Sequence, residues 1–234
     1  MVYTSKYPPF AVTVDGVVLT IRDDVLQALV VTRGSDPFKG QLALPGGFVD
    51  PEEDLAPAMA RELTEETGLD IGAQHFEQLG SYGRPGRDPR MRTVSVAHLA
   101  VLPDLPDPVG GDDATDAQWR PVSWLLAGND RLAFDHRDIV GDGLERAKAK
   151  LEYSAVGTSL CPPTFTLAEL RRVYEVVWGV RLHPRRFDRL VTGARGFVEP
   201  TGETTPAGPG GPAELYRRGP NDTLHPALSR ASLA

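Results

Sequence analysis

One cysteine, Cys161, in 234 residues leaves no partner for an intramolecular disulfide. No stretch approaches the roughly 20 apolar residues that a membrane span needs. The opening MVYTSKYPPF lacks the basic start and apolar run of a signal peptide. The expectation is a globular protein of the reducing cytoplasm, with no membrane partner and with Cys161 as an inert packed thiol. Lysine is missing from residues 165–196, where seven Arg stand against three acids. That stretch is a basic island in a chain of net charge -7, so nucleic-acid binding by the whole surface is excluded and binding at one edge is not. A hydrophobic content of 41% suffices for a real core, in one large domain or two small ones.

The chemically specific stretch is GFVDPEEDLAPAMARELTEETGL, residues 47–69. It opens on the second of two paired glycines, Gly46 and Gly47, runs through a loop to Glu53, and then reads as one helix of about four turns. Asp54 is the natural N-cap, Pro57 falls in the first turn where its missing N–H costs nothing, and Gly68 supplies a left-handed cap. Glu62, Glu65 and Glu66 stand at i, i+3 and i+4, which places three mutually repelling carboxylates on one face. Hard divalent cations with oxygen ligands, Mg²⁺ above all, are the usual compensation; a solvated acidic helix face is the plainer alternative. Ala56, Ala60, Leu63 and Thr67 form the face expected to lie on a sheet, and Arg61 can reach both Glu65 and Glu53.

Gly47, five residues, Glu53, seven residues, then Arg61-Glu62-Leu63-x-Glu65-Glu66-x-Gly68-Leu69 resembles the Nudix box at every defining position. The resemblance implies an α/β fold, a Nudix α/β/α sandwich with a mixed sheet. It also implies hydrolysis of a nucleoside diphosphate linked to another group, with Mg²⁺ or Mn²⁺. On that pattern Glu62, Glu65 and Glu66 are the metal ligands, Glu53, Arg61 and Glu65 the catalytic set, and Gly46 and Gly47 part of the substrate site. Whether Glu53 or a box glutamate takes the proton from water stays open.

Around the box, residues 10–21 and 26–33 read as two strands joined by a hairpin turn, 42–44 as a short strand, and 76–82 and 93–102 as two more, the latter central. Residues 109–116 read as a surface loop and 117–124 as one further strand, ended at Pro121 or just beyond it. The loop between the strands at 76–82 and 93–102 carries Arg84, Arg87 and Arg90, either as a mobile surface segment or as phosphate-binding side chains. The run GSYGRPGRDPRMRTVSVAHLAVL is similar to ADP-ribose pyrophosphatase-like Nudix proteins, which favours substrate contact. A helix is expected from about residue 136 to 153, with Asp135 as N-cap and Ile139, Leu144, Ala147 and Leu151 on its packed side. His136, in its first turn, is a candidate acid or base or else a structural histidine; the short motif around it recurs in the same proteins.

Residues 158–163, with Cys161-Pro162-Pro163, mark the domain boundary, giving a Nudix domain over 1–157 and a small domain over 164–218. Thr166 and Glu169 form a capping box with Phe165 and Leu170 as its hydrophobic staple, and the helix stops at Gly179. Pro184 starts a second, basic helix ending at Gly193, and a Gly/Pro-rich tip then returns at residues 213–218. That order is a winged helix-turn-helix, with Arg185, Arg186 and Arg189 as candidate DNA contacts. The runs FTLAELRRVYEVVWGVRLHPRRFDRLV and AELYRR resemble the C-terminal domain of Nudix-related transcriptional regulators of NAD metabolism. Packing against the core or a second subunit is the alternative role, and the resemblance implies a homodimer. Residues 219–234 lack periodicity and are expected to be a disordered tail.

Two functions follow, of different class. The first is a hydrolase cleaving ADP-ribose or a related nucleoside diphosphate sugar; the second is a DNA-binding regulator that senses ADP-ribose, with a bifunctional protein between them. A housecleaning hydrolase of damaged nucleotides is a third and weaker reading. Because every box carboxylate is present, the sequence favours retained hydrolysis.

Overall fold

The first strand, β1 (Ala11–Arg22), is buried continuously from residue 13 to residue 20. A strand buried at successive positions must be covered on both faces. At Gly16 a Cβ would meet the Met59 side chain at 2.8 Å, and the Cβ of the adjacent Val17 lies 3.2 Å from where a Cβ of Gly143 would stand. Neighbouring strand residues point to opposite faces. The helix carrying Met59 and the helix carrying Gly143 therefore cover opposite sides of β1, which gives the three layers expected.

The computed structural model describes residues 6–110, 114–128, 131–206 and 211–233. The chain divides into two compact units: Met1–Val18, Ala28–Ala100 and Pro106–Gly143 form the first, and Leu19–Gln27, Val101–Leu105 and Leu144–Ala234 the second.

The mixed sheet comprises β1, β2 (Val25–Arg33), β3 (Leu42–Ala43), β4 (Gly46–Phe48), β5 (Glu77–Tyr82), β6 (Thr93–Val101) and β7 (Ala114–Pro121). Its order is β3-β2-β1-β6-β5, with β4 paired to β1 and β7 to β2. Helix α1 (Leu55–Thr67) follows β4, with the Asp54 carboxylate accepting from the Leu55 N–H and Gly68 closing it at φ 69°. Its buried residues are Ala58, Met59, Leu63 and Thr67. Ala56 and Ala60, expected on that face, are only half-buried, because the larger Met59 side chain fills the space left by Gly16. The strand expected at 117–124 starts earlier and gives way at Pro121 to α2 (Val122–Ala127), which buries Val122 and Leu125 at helical spacing. Residues 111–113 of the expected loop lie outside the described residues. In α3 (His136–Tyr153), Val140 and Gly143 join Ile139, Ala147 and Leu151 in the interior, while Leu144 is half-buried.

In the second unit a short helix, α4 (Val156–Ser159), runs into the start of the break expected at 158–163, and within it Gly157 lies against the Tyr174 ring. Both arms of the capping box of α5 (Leu167–Trp178) are made: Thr166 N–H donates to Glu169 Oε2 at 2.7 Å, and Glu169 N–H to Thr166 Oγ1 at 3.2 Å. Tyr174 packs edge-on against Trp178 and Phe187, with ring centroids at 4.9 and 5.2 Å. That aromatic cluster fixes α6 (Pro184–Gly193) by its buried Phe187 and Val191. The buried Glu175 accepts from Leu182 N–H at 3.0 Å, tying α5 to the turn before α6. β8 (Val198–Thr204) and β9 (Glu214–Arg218) pair antiparallel as the wing, whose tip at 207–210 is outside the described residues. Cys161 is half-buried, and burial pushes its thiol up to about 12, as befits an inert group.

The tail expected to be disordered is a strap. Leu224 N–H donates to the Tyr153 carbonyl at 2.9 Å and Leu228 N–H to the Glu152 carbonyl at 2.7 Å. Arg230, at the start of α7 (Arg230–Leu233), pairs with Glu152 at 3.0 Å. Leu224, Leu228 and Leu233 are buried. Three leucines spaced by four and five residues show no helical or strand period, which is why the pattern escaped a periodicity reading. Leu228→Ala is expected to destabilise the second unit by about 2–5 kcal/mol, as for other buried leucines. Chemical denaturation followed by tryptophan fluorescence measures it, and an unchanged midpoint would show the strap to be idle.

Candidate functional site

Paired glycines precede the box because carboxylates of α1 lie directly on the β4 backbone. A Cβ at Gly47 would collide with the Glu62 carboxylate, and one at Gly46, whose φ is 153°, with the Val14 carbonyl. The Gly46 N–H donates to Glu66 Oε2 at 2.9 Å. Burial pushes Glu66 up to about 8, the neighbouring Glu62 and Asp15 charges adding to the effect and the Gly46 amide opposing it. Glu62 is also raised, first by burial.

Arg61 is the counter-charge of the helix. It reaches Glu53 at 2.5 Å, Glu62 at 2.9 Å and Glu65 at 3.0 Å, and donates to the Phe48 carbonyl at 3.2 Å. Glu53 accepts from Asp50 N–H at 2.8 Å, and its bonds to Arg61 hold it below the ordinary carboxylate range. Among the described residues no three His, Cys, Asp or Glu side chains already converge as a metal cluster. The donor set nevertheless fits a hard divalent cation. Glu62 and Glu66 are partly desolvated, mutually repelling carboxylate groups on one helix face, whose ionised forms a cation would favour.

These groups form one wall of a cleft of about 410 Å³, also lined by Asp15, Arg33, Phe48, Arg87, Phe134 and His136. The same cleft borders a buried network. Arg87 pairs with Asp135 at 2.6 Å and with Asp15 at 3.4 Å, and Ser95 Oγ donates to Asp15. Burial by itself would raise the Asp15 carboxyl, but His136, Ser95 and Arg87 together hold it at about 2.

Leu44 N–H donates to His136 Nδ1 at 2.9 Å, while His136 Nε2 faces Asp15 Oδ1 at 3.3 Å. Nδ1 is therefore the unprotonated nitrogen, and its lone pair is already used. In this geometry His136 bridges the Leu44 backbone and Asp15. Asp135 precedes α3 as expected, but its carboxylate serves Arg87 in place of the helix amides.

The loop arginines separate. Arg84 is exposed and does not line the cleft. Arg87 lines it but is neutralised by two aspartates. Arg90 pairs with Asp88 at 2.7 Å and lies over Phe48 and Phe134, 5.3 and 5.9 Å from their centroids. Sequence reasoning missed Asp15, Arg33, Phe48 and Phe134. Phe134 gave one usable signal, its place beside Asp135 and His136; the others are ordinary strand residues.

On α6, Arg185, Arg186 and Arg189 are exposed on the side away from Phe187 and Val191. With His183 and Leu233 they line a groove of about 610 Å³.

A mixed sheet between helices, with a glutamate-rich helix opening on a cleft, followed by a winged helix, defines a two-domain protein of Nudix type. A NUDIX domain model matches residues 11–142, and an NrtR DNA-binding winged helix domain model matches 157–218. The chain belongs to the Nudix family and carries an NrtR-type winged-helix domain. It is 36% identical over 215 residues to the ADPR responsive transcriptional repressor NtrR of Acinetobacter baylyi, covering 91% of this chain and 84% of the relative. To the ADP-ribose pyrophosphatase of Methanocaldococcus jannaschii it is 38% identical over 137 residues, 56% of this chain and 72% of that one. Shewanella oneidensis NrtR complexed with a 27mer DNA superposes with a TM-score of 0.75 at 32% identity, covering 93% and 99% of the two chains. The NUDIX domain of the same protein complexed with ADP ribose gives 0.57 at 32% identity over 62% of this chain and 94% of that one.

The raised Glu66 has a consequence for stability. Its ordinary value is 4.5 and its folded value about 8. The folded state thus keeps a proton that the unfolded chain has released, and this contribution is complete below 4.5 and lost as pH rises to about 8. In divalent-free buffer the melting temperature of the parent should fall across that window more steeply than that of Glu66→Gln. Parallel profiles would show that Glu66 ionises normally.

Proposed function

We propose that this protein is a DNA-binding transcriptional regulator of NAD metabolism whose Nudix domain senses ADP-ribose or a related nucleoside diphosphate. The observation that carries this is α6. Its apolar residues are sunk into an aromatic core, while its three arginines point outward in a domain matching the NrtR DNA-binding model. The relatives alike in both domains, a transcriptional repressor and a DNA complex, support the same reading. The protein acts as a homodimer in the cytoplasm. Arg185, Arg186 and Arg189 contact phosphates or base edges, and the acidic remainder of the chain confines DNA to that side. The carboxylate-lined cleft receives the nucleotide, and a ligand that favours one arrangement of the chain must alter its affinity for DNA.

A gel-shift titration with DNA from upstream of the protein's own gene and its neighbours tests this. Binding should weaken steeply with salt. In the Arg186→Ala/Arg189→Ala double variant, the slope of log K against log salt should drop by about one for every phosphate that no longer has its arginine. ADP-ribose should release the DNA. Absence of a shift at low salt, or equal shifts for parent and variant, would leave the small domain as a packing module.

Retained hydrolysis is the second reading, favoured by the full set of box carboxylates. When bound, Mg²⁺ or Mn²⁺ would screen the diphosphate and activate a water. Glu62, Glu65 and Glu66 would hold the cation, Gly46 and Gly47 would bring backbone close to the ligand, and Glu53 or a box glutamate would take the proton. Release of a nucleoside monophosphate from ADP-ribose with Mg²⁺ measures it, and Glu66→Gln should reduce turnover at least about a hundredfold. No turnover by the parent would leave sensing as the cleft's role.

A further inference from the structure

Arg33 stands at the end of β2 on the cleft wall, and its position is determined from several sides. Its N–H donates to the Gln41 carbonyl at 3.0 Å and its carbonyl accepts from Gly40 N–H at 2.9 Å, closing the loop between them. In the side chain, Nε donates to the Pro37 carbonyl at 2.8 Å. The guanidinium lies on the Phe134 ring, 4.8 Å from its centroid, and Phe38 braces that ring edge-on at 4.9 Å. One edge and one face of the planar group are therefore occupied. The Nη1 and Nη2 edge has no hydrogen-bond or ion-pair partner among the described residues.

The other arginines of the cleft differ in kind. Arg61 is held by three glutamates, Arg87 by Asp135 and Asp15, and Arg90 by Asp88. Among the described residues, Arg33 is the one cation lining this cleft without a carboxylate at ion-pair distance. Burial and then the neighbouring Arg90 charge lower its pKa, with the more distant Glu66, Asp88 and Asp15 charges opposing the shift. A rigid guanidinium with two free parallel donors matches two oxygens of a phosphate.

We propose that Arg33 is the specificity-determining residue of this cleft: its Nη1 and Nη2 bind two oxygens of a ligand phosphate and so select phosphorylated over unphosphorylated ligands. This assignment rests on the cleft being the nucleotide site, and it moves the phosphate-reading role from the 84–90 loop to the end of β2. Pro37 and the Phe134 ring hold the side chain in order beforehand, so little orientational freedom is lost when the anion arrives.

The test is equilibrium calorimetry on the full chain in divalent-free buffer, with ADP-ribose, inorganic diphosphate and adenosine as separate probes. Arg33→Gln should weaken ADP-ribose and diphosphate by about tenfold to a hundredfold, as removal of a charge-assisted pair would, and leave adenosine unchanged. Arg33→Lys, which keeps the charge but not the paired donors, should recover part of that affinity; it decides the matter alone if the glutamine variant fails to fold. Equal weakening of adenosine, or unchanged affinity for both phosphorylated probes, overturns the assignment. A parent that binds diphosphate through Arg33 but not ADP-ribose removes the sensor reading and keeps the assignment. One that binds ADP-ribose with no dependence on Arg33 does the reverse, and one that binds no phosphorylated probe removes both.

Discussion

A buried arginine organises the cleft. Arg87 comes from a loop, yet its guanidinium is sunk between Asp15 on β1 and Asp135 before α3, and Asp15 in turn holds Ser95 on β6 and His136 on α3. Three regions far apart in sequence, around residues 15, 87–95 and 135–136, thus meet at one ion cluster, and the His136 ring extends it to the Leu44 backbone just ahead of the box. Such clusters add little net stability, since desolvation offsets most of the Coulomb gain. Their effect is on uniqueness, because Arg87 is shared by two buried carboxylates and its removal would leave Asp15 and Asp135 without a cation. The Arg87 side chain is thereby held from two sides on the wall of the cleft.

How far the sequence could be read depended on whether a residue's role is local. Capping by Asp54 and Gly68, the Thr166–Glu169 box and the carboxylate face of α1 are decided within one or two turns, and each was legible. Most strand positions along the chain and the helix-turn-helix order of the small domain followed from the same local signals, whereas the pairing order in the sheet did not. Roles that depend on what lies across the fold were not legible. Arg84, Arg87 and Arg90 look alike in a Gly/Pro-rich loop, but one is exposed, one buried in aspartates and one stacked on rings. Nothing in the spacing of Val31, Thr32 and Arg33 says that the strand ends at a cleft. Helix α2 was missed for a similar reason, six residues after a proline being too short to show a period.

The cleft and α6 use arginine in opposite ways. In the cleft it is consumed internally, by glutamates or aspartates, except at Arg33. On α6 the side chains stand in solvent, anchored only through the backbone that Phe187 and Val191 hold down. Sequence counting registers the excess charge of residues 165–196 but cannot assign it to a face. The aromatic core does that, since only one side of a ten-residue helix can turn away from Tyr174 and Phe187.

Arg61 bears on how such a protein could have come to be. A helix with several clustered carboxylates would ordinarily depend on a bound cation for its tolerance of that charge. Here one guanidinium already satisfies Glu53, Glu62 and Glu65 and fastens them to the Phe48 backbone. Three of the box carboxylates are thereby braced within the chain, while Glu66 takes the Gly46 amide instead. A lineage that exchanged cleavage for sensing would still have a structural reason to keep these residues, because each is one of the bonds by which Arg61 holds the loop to the helix. An intact box is consequently a record of ancestry and architecture as much as of chemistry, and an enzyme of this design could become a switch without altering a single letter of its signature.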